Sequence, residues 1–322
     1  MRITVGAIDG LAASSQRLFL TGGAAQRISL SLGDGLPFTA GGNLAIRRPL
    51  GGTVLARRFF TGLVAVPILI AAALDDGWLF RGALFATALI GTAETLWMVR
   101  QAGHRPLSAF ALVLSFAIIY DATIAPGKVL GPAVGLVVLG SLAVLLVRVE
   151  HSGSLTDWAL TVALPLYAAG LLQFFAPLRG RGDYELFQAP LRLTWPLMVL
   201  LISWACDIAA YFAGRAVGKV RLAPRISPAK SVEGAIAGVL AAMMLGVLFS
   251  LPTSVDPFRM AGFGLAVGLG SVVGDLVESL IKRQCGVKDS GFIMPGHGGM
   301  LDRMDALIFS AACAYFYLQA VL

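Results

Sequence analysis

The stretch from Ser279 to Asp305 holds the densest group of reactive side chains in the chain. Three acids, four Lys or Arg residues, one histidine and several glycines fall within these 27 residues. Glycines let backbone approach a ligand closely, Lys and Arg neutralise phosphate oxygens, and Asp binds hard cations such as Mg²⁺. The stretch therefore predicts a site for a magnesium nucleotide and a second phosphate-bearing substrate, with candidates Lys282, Arg283, Lys288, Asp289, His297, Asp302, Arg303 and Asp305.

Two further acids, Asp275 and Glu278, precede this stretch and share one helix face near the end of an apolar segment. Two carboxylates in such a place are strongly disfavoured without a positive partner. Either a bound metal ion or a Lys or Arg side chain would supply that partner, and the sequence leaves both interpretations open.

Asp207 lies inside another apolar segment, 193–216, and Tyr211 follows it on the same helix face. Ionisable residues within membrane segments are costly, so each is a functional candidate by default. Asp207 would lie roughly 15 Å from the end of its segment at the rise of an α-helix. The structural alternative is a pair between Asp207 and Arg215.

The loop between 216 and 234 predicts a phosphate-binding helix start. Ser227 before Pro228 is typical of an N-cap followed by proline at the first helical position. A helix that begins there would point backbone N–H groups outward, and Lys230 would add positive charge. The alternative is an ordinary helix cap beside a lysine that sets topology.

The composition decides what kind of protein carries these residues. Hydrophobic residues make up 57% of the 322 positions and charged residues only 13%, about half the charge of a soluble domain. A soluble enzyme, a disordered protein and a nucleic-acid-binding protein are therefore excluded. Apolar runs near membrane length separated by short polar loops predict an all-α, polytopic transmembrane helical bundle.

We place about nine spans, at 59–75, 78–98, 107–125, 129–149, 157–178, 193–216, 234–252, 258–281 and 304–322. Arg81 and Glu94 fall inside the second span, so the count could change by one. With nine spans and a cytoplasmic N-terminus, most Lys and Arg clusters lie on the cytoplasmic side, as the positive-inside rule requires. The loop 179–192 is the exception, with three arginines on the other side.

The chain divides into three parts. Residues 1–56 have no apolar run of membrane length and predict a flexible N-terminal extension, with an organellar transit peptide as the alternative. Residues 57–192 form the N-terminal transmembrane helices. Residues 193–322 form the catalytic transmembrane region, in which Gly264, Gly268, Gly270 and Gly274 suit close helix packing.

Ser279 to Asp305 resembles the signature of the phosphatidate cytidylyltransferase (CDP-diacylglycerol synthase) family. The pattern is S-x-x-K-R, then K-D-x-G, then P-x-H-G-G-x-x-D-R-x-D, with Met294 where Leu, Ile or Phe is usual. Two upstream segments, 207–219 and 227–234, also resemble the family, and Ser231 replaces its usual Thr while keeping the hydroxyl. The resemblance covers roughly 57–322 and is most specific in the last 120 residues.

The resemblance implies that the chain condenses CTP with phosphatidic acid to give CDP-diacylglycerol and pyrophosphate. It also implies a homodimer in the cell (inner) membrane, with a polar catalytic cavity open to the cytoplasm and laterally to lipid. Glycine-rich helix faces could serve the dimer. No nucleic acid is expected as a partner.

The resemblance further implies roles for single residues. Asp275 and Asp302 would be the first metal ligands for Mg²⁺, with K⁺ as a second cation. Second ligands or orienting groups would be Asp207, Glu278, Asp289 and Asp305. Phosphate binders would be Lys219, Lys230, Lys282, Arg283, Lys288 and Arg303, while hydrogen bonds to nucleotide or head group would come from Ser227, Ser231 and His297.

Two alternatives remain. A polyprenol or phytol kinase-like enzyme would also use CTP, but would transfer the γ-phosphate to an alcohol, and the complete signature argues against it. A transporter would place its buried acids on an ion or solute pathway and would show inverted repeats. The sequence shows no such internal symmetry, and its polar residues concentrate in the C-terminal third.

Overall fold

The computed structural model describes residues 20–21, 29–31, 37–38, 66–147, 154–185, 192–291 and 298–321. The chain divides into two compact units, Met1–Leu50 and Gly51–Leu322. In the first unit, β1 (Leu20–Thr21), β2 (Ser29–Ser31) and β3 (Pro37–Phe38) form an antiparallel sheet in that order. Apart from these strands, the extension predicted at 1–56 lies outside the described residues.

The second unit is helical. Its helices are α1 (66–74), α2 (Trp78–Gln101), α3 (Ser108–Thr123), α4 (Leu130–Val147), α5 (Ser154–Leu172), α6 (Phe175–Arg179), α7 (Trp195–Val217), α8 (Val232–Thr253), α9 (Pro257–Gln284) and α10 (Leu301–Val321). Two pairs of antiparallel strands join them: β4 (Asp183–Glu185) with β5 (Arg192–Thr194), and β6 (Arg221–Ala223) with β7 (Ser227–Ser231).

The described helices confirm an all-α, polytopic membrane protein. Seven helical stretches in the described part of the chain are long and apolar enough to cross a membrane: α2, α4, α5 continuing through α6, and α7 to α10. Helix α3 is apolar but has only 16 residues. Each of the nine predicted segments falls on a helix, although 59–65 lies outside the described residues, and the count of nine crossings stays a prediction.

Glycines bring the C-terminal helices into close contact. Helices α7 to α10 pack each against the next, and α10 also contacts α5 of a second group made of α2, α3 and α5. Gly264 and Gly268 face α8, whereas Gly270 and Gly274 face α10, and a Cβ on Gly270 would lie 2.9 Å from the Cα of Ser310. The predicted close packing is confirmed. These glycine faces are therefore used inside one chain and are not free to form a dimer.

The predicted helix start at Ser227 is wrong. Residues 227–231 form strand β7, which pairs with β6, and α8 begins only at Val232. The N-cap is Ser231, whose hydroxyl oxygen accepts a hydrogen bond from the N–H of Gly234 at 3.1 Å. Pairing with β6 provides hydrogen bonds for the backbone of 227–231 in an extended conformation. This non-local pairing outweighs the local Ser-Pro signal for a helix start.

The end of the bundle near α1 and α6 is held by polar side chains. The Asp75 carboxylate accepts backbone N–H groups at the start of α2, and the one from Phe80 is the main reason that the pKa of Asp75 is lowered. Buried Arg179 donates to the carbonyl oxygens of Leu74 and Asp75 and pairs with Asp183 at 2.5 Å. These bonds satisfy carbonyls at the C-terminal end of α1, which have no partner within the helix.

Candidate active site

A polar cavity of about 1080 Å³ lies where the C-terminal halves of α7 and α9 meet the first turns of α8 and α10. Most predicted site residues line it: Asp207, Lys230, Ser231, Asp275, Glu278, Lys282, Asp289, Asp302, Arg303 and Asp305. Four other described candidates do not line it: Lys219, Ser227, Arg283 and Lys288. His297 lies outside the described residues. The fold therefore brings ten of the predicted residues to one cavity and leaves four of the described ones outside its lining.

One face of α9 supplies much of the cavity wall. Ser271, Asp275, Glu278 and Lys282 recur at intervals of four, three and four residues, the spacing that aligns side chains on one side of a helix. On the opposite side of α9, Leu269, Val273 and Leu280 are apolar and exposed on the surface of the bundle. A single helix thus presents two acids and a lysine to the cavity, while buried Ser271 on the same face donates a hydrogen bond to Asp207.

Lysine side chains form ion pairs with the acids for which the sequence left the positive partner open. Lys282 contacts Glu278 at 2.8 Å and Asp302 at 2.6 Å, so it links α9 to α10. Lys230 at the end of β7 forms an ion pair with Asp275. In the structure, Lys or Arg partners are therefore present for both helices: Lys230 for Asp275, and Lys282 for Glu278 and Asp302.

The Asp302 carboxylate is fixed by the loop that precedes it. Its Oδ2 accepts hydrogen bonds from the N–H of Ser290 at 2.8 Å, the N–H of Gly299 at 2.9 Å and the hydroxyl of Ser290 at 2.9 Å. Gly298 adopts a φ of 85°, which an L side chain rarely adopts. A Cβ on Gly298 would also lie 2.6 Å from Oδ2. Only glycine at this position lets the loop close around Asp302.

Asp207 is held from a neighbouring helix. Its Oδ1 accepts a hydrogen bond from the hydroxyl of Ser271 at 3.1 Å. Arg215 instead donates to the hydroxyl of Tyr211 at 3.2 Å. The pair between Asp207 and Arg215 is therefore not formed, and Asp207 keeps an oxygen for the cavity that it lines.

The β6–β7 pair places Lys230 over the cavity. Residue Val232 donates its N–H to the carbonyl of Val220 at 2.9 Å, which closes the strand pair against the end of α7. Arg283 donates from Nε to the carbonyl oxygen of Ile226 at 3.3 Å. Arg283 thus ties α9 to this turn, while Lys230 provides the cation at the cavity wall.

The donor set fits a hard cation that arrives with a phosphate. Six carboxylates line the cavity, and Oε1 of fully buried Glu278 has no hydrogen-bond partner among the described residues. In the described part of the chain, no three Asp, Glu, His or Cys side chains lie close enough to hold an ion by themselves. Mg²⁺ is commonly held by one or two carboxylates together with substrate phosphates and water. The residues present fit that mode.

Sequence reasoning missed three residues that do not line the cavity but hold residues at or next to it: Glu94, Ser271 and Ser290. Glu94 was noted only as an acid inside the second span, yet its carboxylate accepts the N–H of Leu301 at 2.8 Å, 207 residues away in sequence. The cost of a buried acid was the available signal. The two serines carried no signal, because a single hydroxyl beside a motif has no spacing to reveal it.

Comparisons with known proteins identify the family of the chain. A family model described as Cytidylyltransferase family matches residues 56–321. The chain is 30% identical to a phosphatidate cytidylyltransferase of Synechocystis sp. over 286 residues, which cover 83% of this chain and 97% of that protein. It is 35% identical to one of Haemophilus influenzae over 286 residues, 82% and 99% of the two chains. It is 41% identical to one of Brucella suis over 185 residues, 57% and 64%. The chain is an enzyme that belongs to the cytidylyltransferase family.

Proposed function

We propose that this chain is a phosphatidate cytidylyltransferase, which condenses CTP with phosphatidic acid to give CDP-diacylglycerol and pyrophosphate. The observation that carries the proposal is the polar cavity in which Lys230, Lys282 and Arg303 lie among six carboxylates. The lysines suit the phosphates of both substrates, and the carboxylates suit a divalent cation. The names of the relatives identify the lipid substrate.

The reaction is an in-line substitution at phosphorus. An oxygen of the phosphatidate monoester forms a bond to the α-phosphorus of CTP, and the bond from that phosphorus to the bridging oxygen of the β-phosphate breaks. Pyrophosphate leaves with the bonding electrons. The monoester is already an anion near neutral pH, so no strong general base is needed. The protein contributes position and charge, for which Lys230 and Arg303 at the cavity wall are suited.

A metal site is part of the proposal. Asp275 and Asp302 would hold Mg²⁺, with Asp207, Glu278 and Asp305 as second ligands or orienting groups and K⁺ as a second cation. A bound divalent ion would neutralise charge on the transferred phosphoryl group and the leaving pyrophosphate. In the structure, Lys230 and Lys282 contact Asp275 and Asp302. These lysines can therefore move toward phosphate oxygens when the carboxylates take a metal.

We further propose nine crossings, by α1 to α5 and α7 to α10, with the cavity facing the cytoplasm of a cell that carries the protein in its inner membrane. Lys219, Arg221 and Arg225 lie between α7 and α8, at the end of the bundle where the cavity opens. This basic end favours the cytoplasmic side. The homodimer rests on the family resemblance alone.

Purified protein, labelled CTP, phosphatidate and Mg²⁺ would test the activity. We expect a labelled CDP-lipid, separated by lipid chromatography, and release of pyrophosphate. Asp256→Asn is a matched control, because Asp256 caps the far end of α9 through the N–H of Arg259. A parallel reaction contains γ-labelled CTP and a polyprenol in place of phosphatidate. Labelled polyprenyl phosphate in that reaction, or no CDP-lipid at any Mg²⁺ concentration in the first, would contradict the proposal.

A further inference from the structure

Glu94 is a buried acid on α2 whose carboxylate reaches the signature region. Its side chain is 4% exposed. Oε1 accepts a hydrogen bond from the N–H of Met300 at 2.9 Å, and Oε2 accepts one from the N–H of Leu301 at 2.8 Å. These are free N–H groups at the start of α10, which have no acceptor within their own helix. A carboxylate from a distant helix therefore caps α10, where negative charge is favoured.

The same carboxylate also contacts the other end of the loop. The hydroxyl of Ser290 lies 3.3 Å from Oε2 of Glu94. A Cβ on either Gly291 or Gly299 would lie 2.6 Å from Oε1 of Glu94. No larger residue fits at these two positions while the carboxylate keeps its place. Glu94 thus contacts both described ends of the loop, 290–291 and 299–301.

Glu94 is linked to Asp302 through Ser290. The Ser290 hydroxyl lies 2.9 Å from Asp302 Oδ2, and its single proton can go to either carboxylate. The N–H of Gly299, next to Met300, also donates to Asp302. The donors to Asp302 Oδ2 therefore belong to Ser290, which Glu94 contacts, and to Gly299, which is next to the Glu94 contact Met300.

We propose that Glu94 is a positioning residue for the transfer reaction. Its carboxylate holds the two ends of the loop 290–301 together and so sets the position of Asp302 against Lys282. The expected effect on turnover rests on the proposed function, whereas the contacts of Glu94 do not depend on it. It assigns a role in the site to α2, a helix of the region in which the sequence signature is absent.

The chemistry of the contacts makes Glu94→Gln a sharp change. Two backbone N–H groups and a hydroxyl face the two carboxylate oxygens. Glutamine keeps the shape but offers one acceptor oxygen, and its NH₂ group would face a donor. Loss of a partner that orients a ligand typically costs about 10- to 100-fold in activity or metal affinity.

Asp121 provides a matched control. Like Glu94, it has a buried carboxylate that accepts backbone N–H groups at the start of a helix, here three of them, from Gly127, Val129 and Leu130 before and in α4. It does not line the cavity. Asp121→Asn therefore makes the same chemical change at a helix start that has no role in the site.

The experiment uses the full chain in lipid nanodiscs, as wild type, Glu94→Gln, Glu94→Asp and Asp121→Asn. Hydrogen–deuterium exchange is measured over 286–291 and 298–304, and CDP-lipid formation per folded molecule is measured against CTP and Mg²⁺ concentration. We expect Glu94→Gln to speed exchange at 299–301, to lower kcat about 10- to 100-fold and to raise the Mg²⁺ concentration for half-maximal rate, with little change in KM for CTP. Asp121→Asn should speed exchange only near 127–130.

Glu94→Asp keeps the charge and shortens the side chain, so it provides a milder test if the Gln variant does not fold. It should speed exchange at the same loop and lower kcat by a smaller factor. Unchanged exchange at 299–301 in a folded variant, or faster exchange with unchanged kcat, would overturn the proposal. If the wild type forms no CDP-lipid, the proposed function fails, and the exchange data alone decide whether Glu94 holds the loop.

Discussion

Lys282 connects the acids of two helices and determines how charge is balanced in the site. Glu278 is fully buried, and Lys282 and Asp302 are nearly so. Removal of one partner of a buried pair is costly, about 3–5 kcal/mol, because an uncompensated charge remains. A lysine at this position therefore has a structural role in the resting protein, whatever contact it makes with phosphate. Lys230 and Asp275 are more exposed, so their pair is more easily exchanged for substrate.

Asp302→Asn tests the role of the first-turn acid of α10. We expect turnover to fall about a hundredfold or more, because several kcal/mol of electrostatic stabilisation of the transition state are lost. Folding should change little, since Lys282 keeps Glu278 as a partner and the Asn oxygen can still accept from the loop. Mg²⁺-dependent CDP-lipid formation per folded molecule measures the effect.

The control for Asp302→Asn is Asp256→Asn at the opposite end of α9. Asn is as good an N-cap as Asp, so this variant should keep both stability and turnover. Near-normal specific activity in well-folded Asp302→Asn protein would contradict the assignment of Asp302 to the metal site. Poor folding with normal activity in the surviving molecules would indicate a structural role instead.

At the scale of residues, the sequence predicted many of the side chains that line the cavity, but not how they pair. Asp275, Asp302 and Lys282 were identified by type and spacing. The lysine that meets each acid depends on the approach of β7 and α10 to α9, which no local pattern encodes. Glu94 was missed as a site residue for the same reason, because its partners are distant in sequence.

At the scale of elements, α9 is the helix around which the site is organised. One face packs on α8 through Gly264 and Gly268, another packs on α10 through Gly270 and Gly274, and a third carries Asp275, Glu278 and Lys282 into the cavity. Close helix contact replaces the hydrophobic driving force that is missing between helices in a membrane. The glycines therefore set the distance between the acids of α9 and those of α10.

Gly274→Ala should disturb this distance. Its Cβ would collide with the carbonyl oxygen of Asp305 and lie 3.2 Å from the Cα of Ala306, so α10 must shift. We expect a loss of about 1–3 kcal/mol of stability and lower turnover per folded molecule, because Asp302 and Asp305 move with α10. Thermal unfolding in detergent and CDP-lipid formation measure the two effects.

The matched control for Gly274→Ala is Gly135→Ala in α4, where a Cβ would meet nothing within 4 Å. That change should leave turnover intact and could raise stability, since Ala is favoured over Gly inside helices by about 1 kcal/mol. Equal stability and equal turnover in both variants would show that α9 and α10 are not held at this distance.

The lengths of the apolar runs predicted where helices occur, but the start of α8 was not predictable in this way. The Ser227-Pro228 signal pointed to a helix start, but β7 occupies 227–231 and Ser231 caps α8 instead. Ser-Pro is compatible with an extended strand as well as with a cap. Pairing with β6, a non-local interaction, decides between the two.

At the scale of the whole molecule, arginines also occur at the end of the bundle opposite the cavity, where they form structural contacts. The loop 179–192 was the exception to the positive-inside rule. Arg179, however, is buried, donates to backbone carbonyls at the C-terminal end of α1 and pairs with Asp183. Asp183 also contacts Arg192 at 3.6 Å. At least two of its three arginines are therefore engaged in structure. This accounts for basic residues at the end opposite the cavity, and it supports the predicted topology.

Deletion of residues 1–50 should leave membrane insertion and turnover nearly intact. The compact helical unit begins at Gly51, and the family match begins at residue 56. A deletion of residues 1–76 is the contrasting variant, because it removes α1, whose carbonyls accept hydrogen bonds from Arg179 and Thr194. Loss of turnover in the shorter deletion at normal expression would show that the first unit takes part in the reaction.

The orientation of the bundle can be tested across α7. This helix has 23 residues, about 34 Å at 1.5 Å per residue, so its two ends should lie on opposite sides of the membrane. Arg192 lies just before it, and Lys219 just after it at the cavity end.

For the labelling experiment, Arg192 and Lys219 are each replaced by Cys in a background from which Cys206, Cys285 and Cys313 have been removed. In intact cells, we expect an impermeant maleimide to label Arg192→Cys and to reach Lys219→Cys only after permeabilisation. Labelling of Lys219→Cys from outside would place the cavity away from cytoplasmic CTP and would contradict both the topology and the proposed reaction.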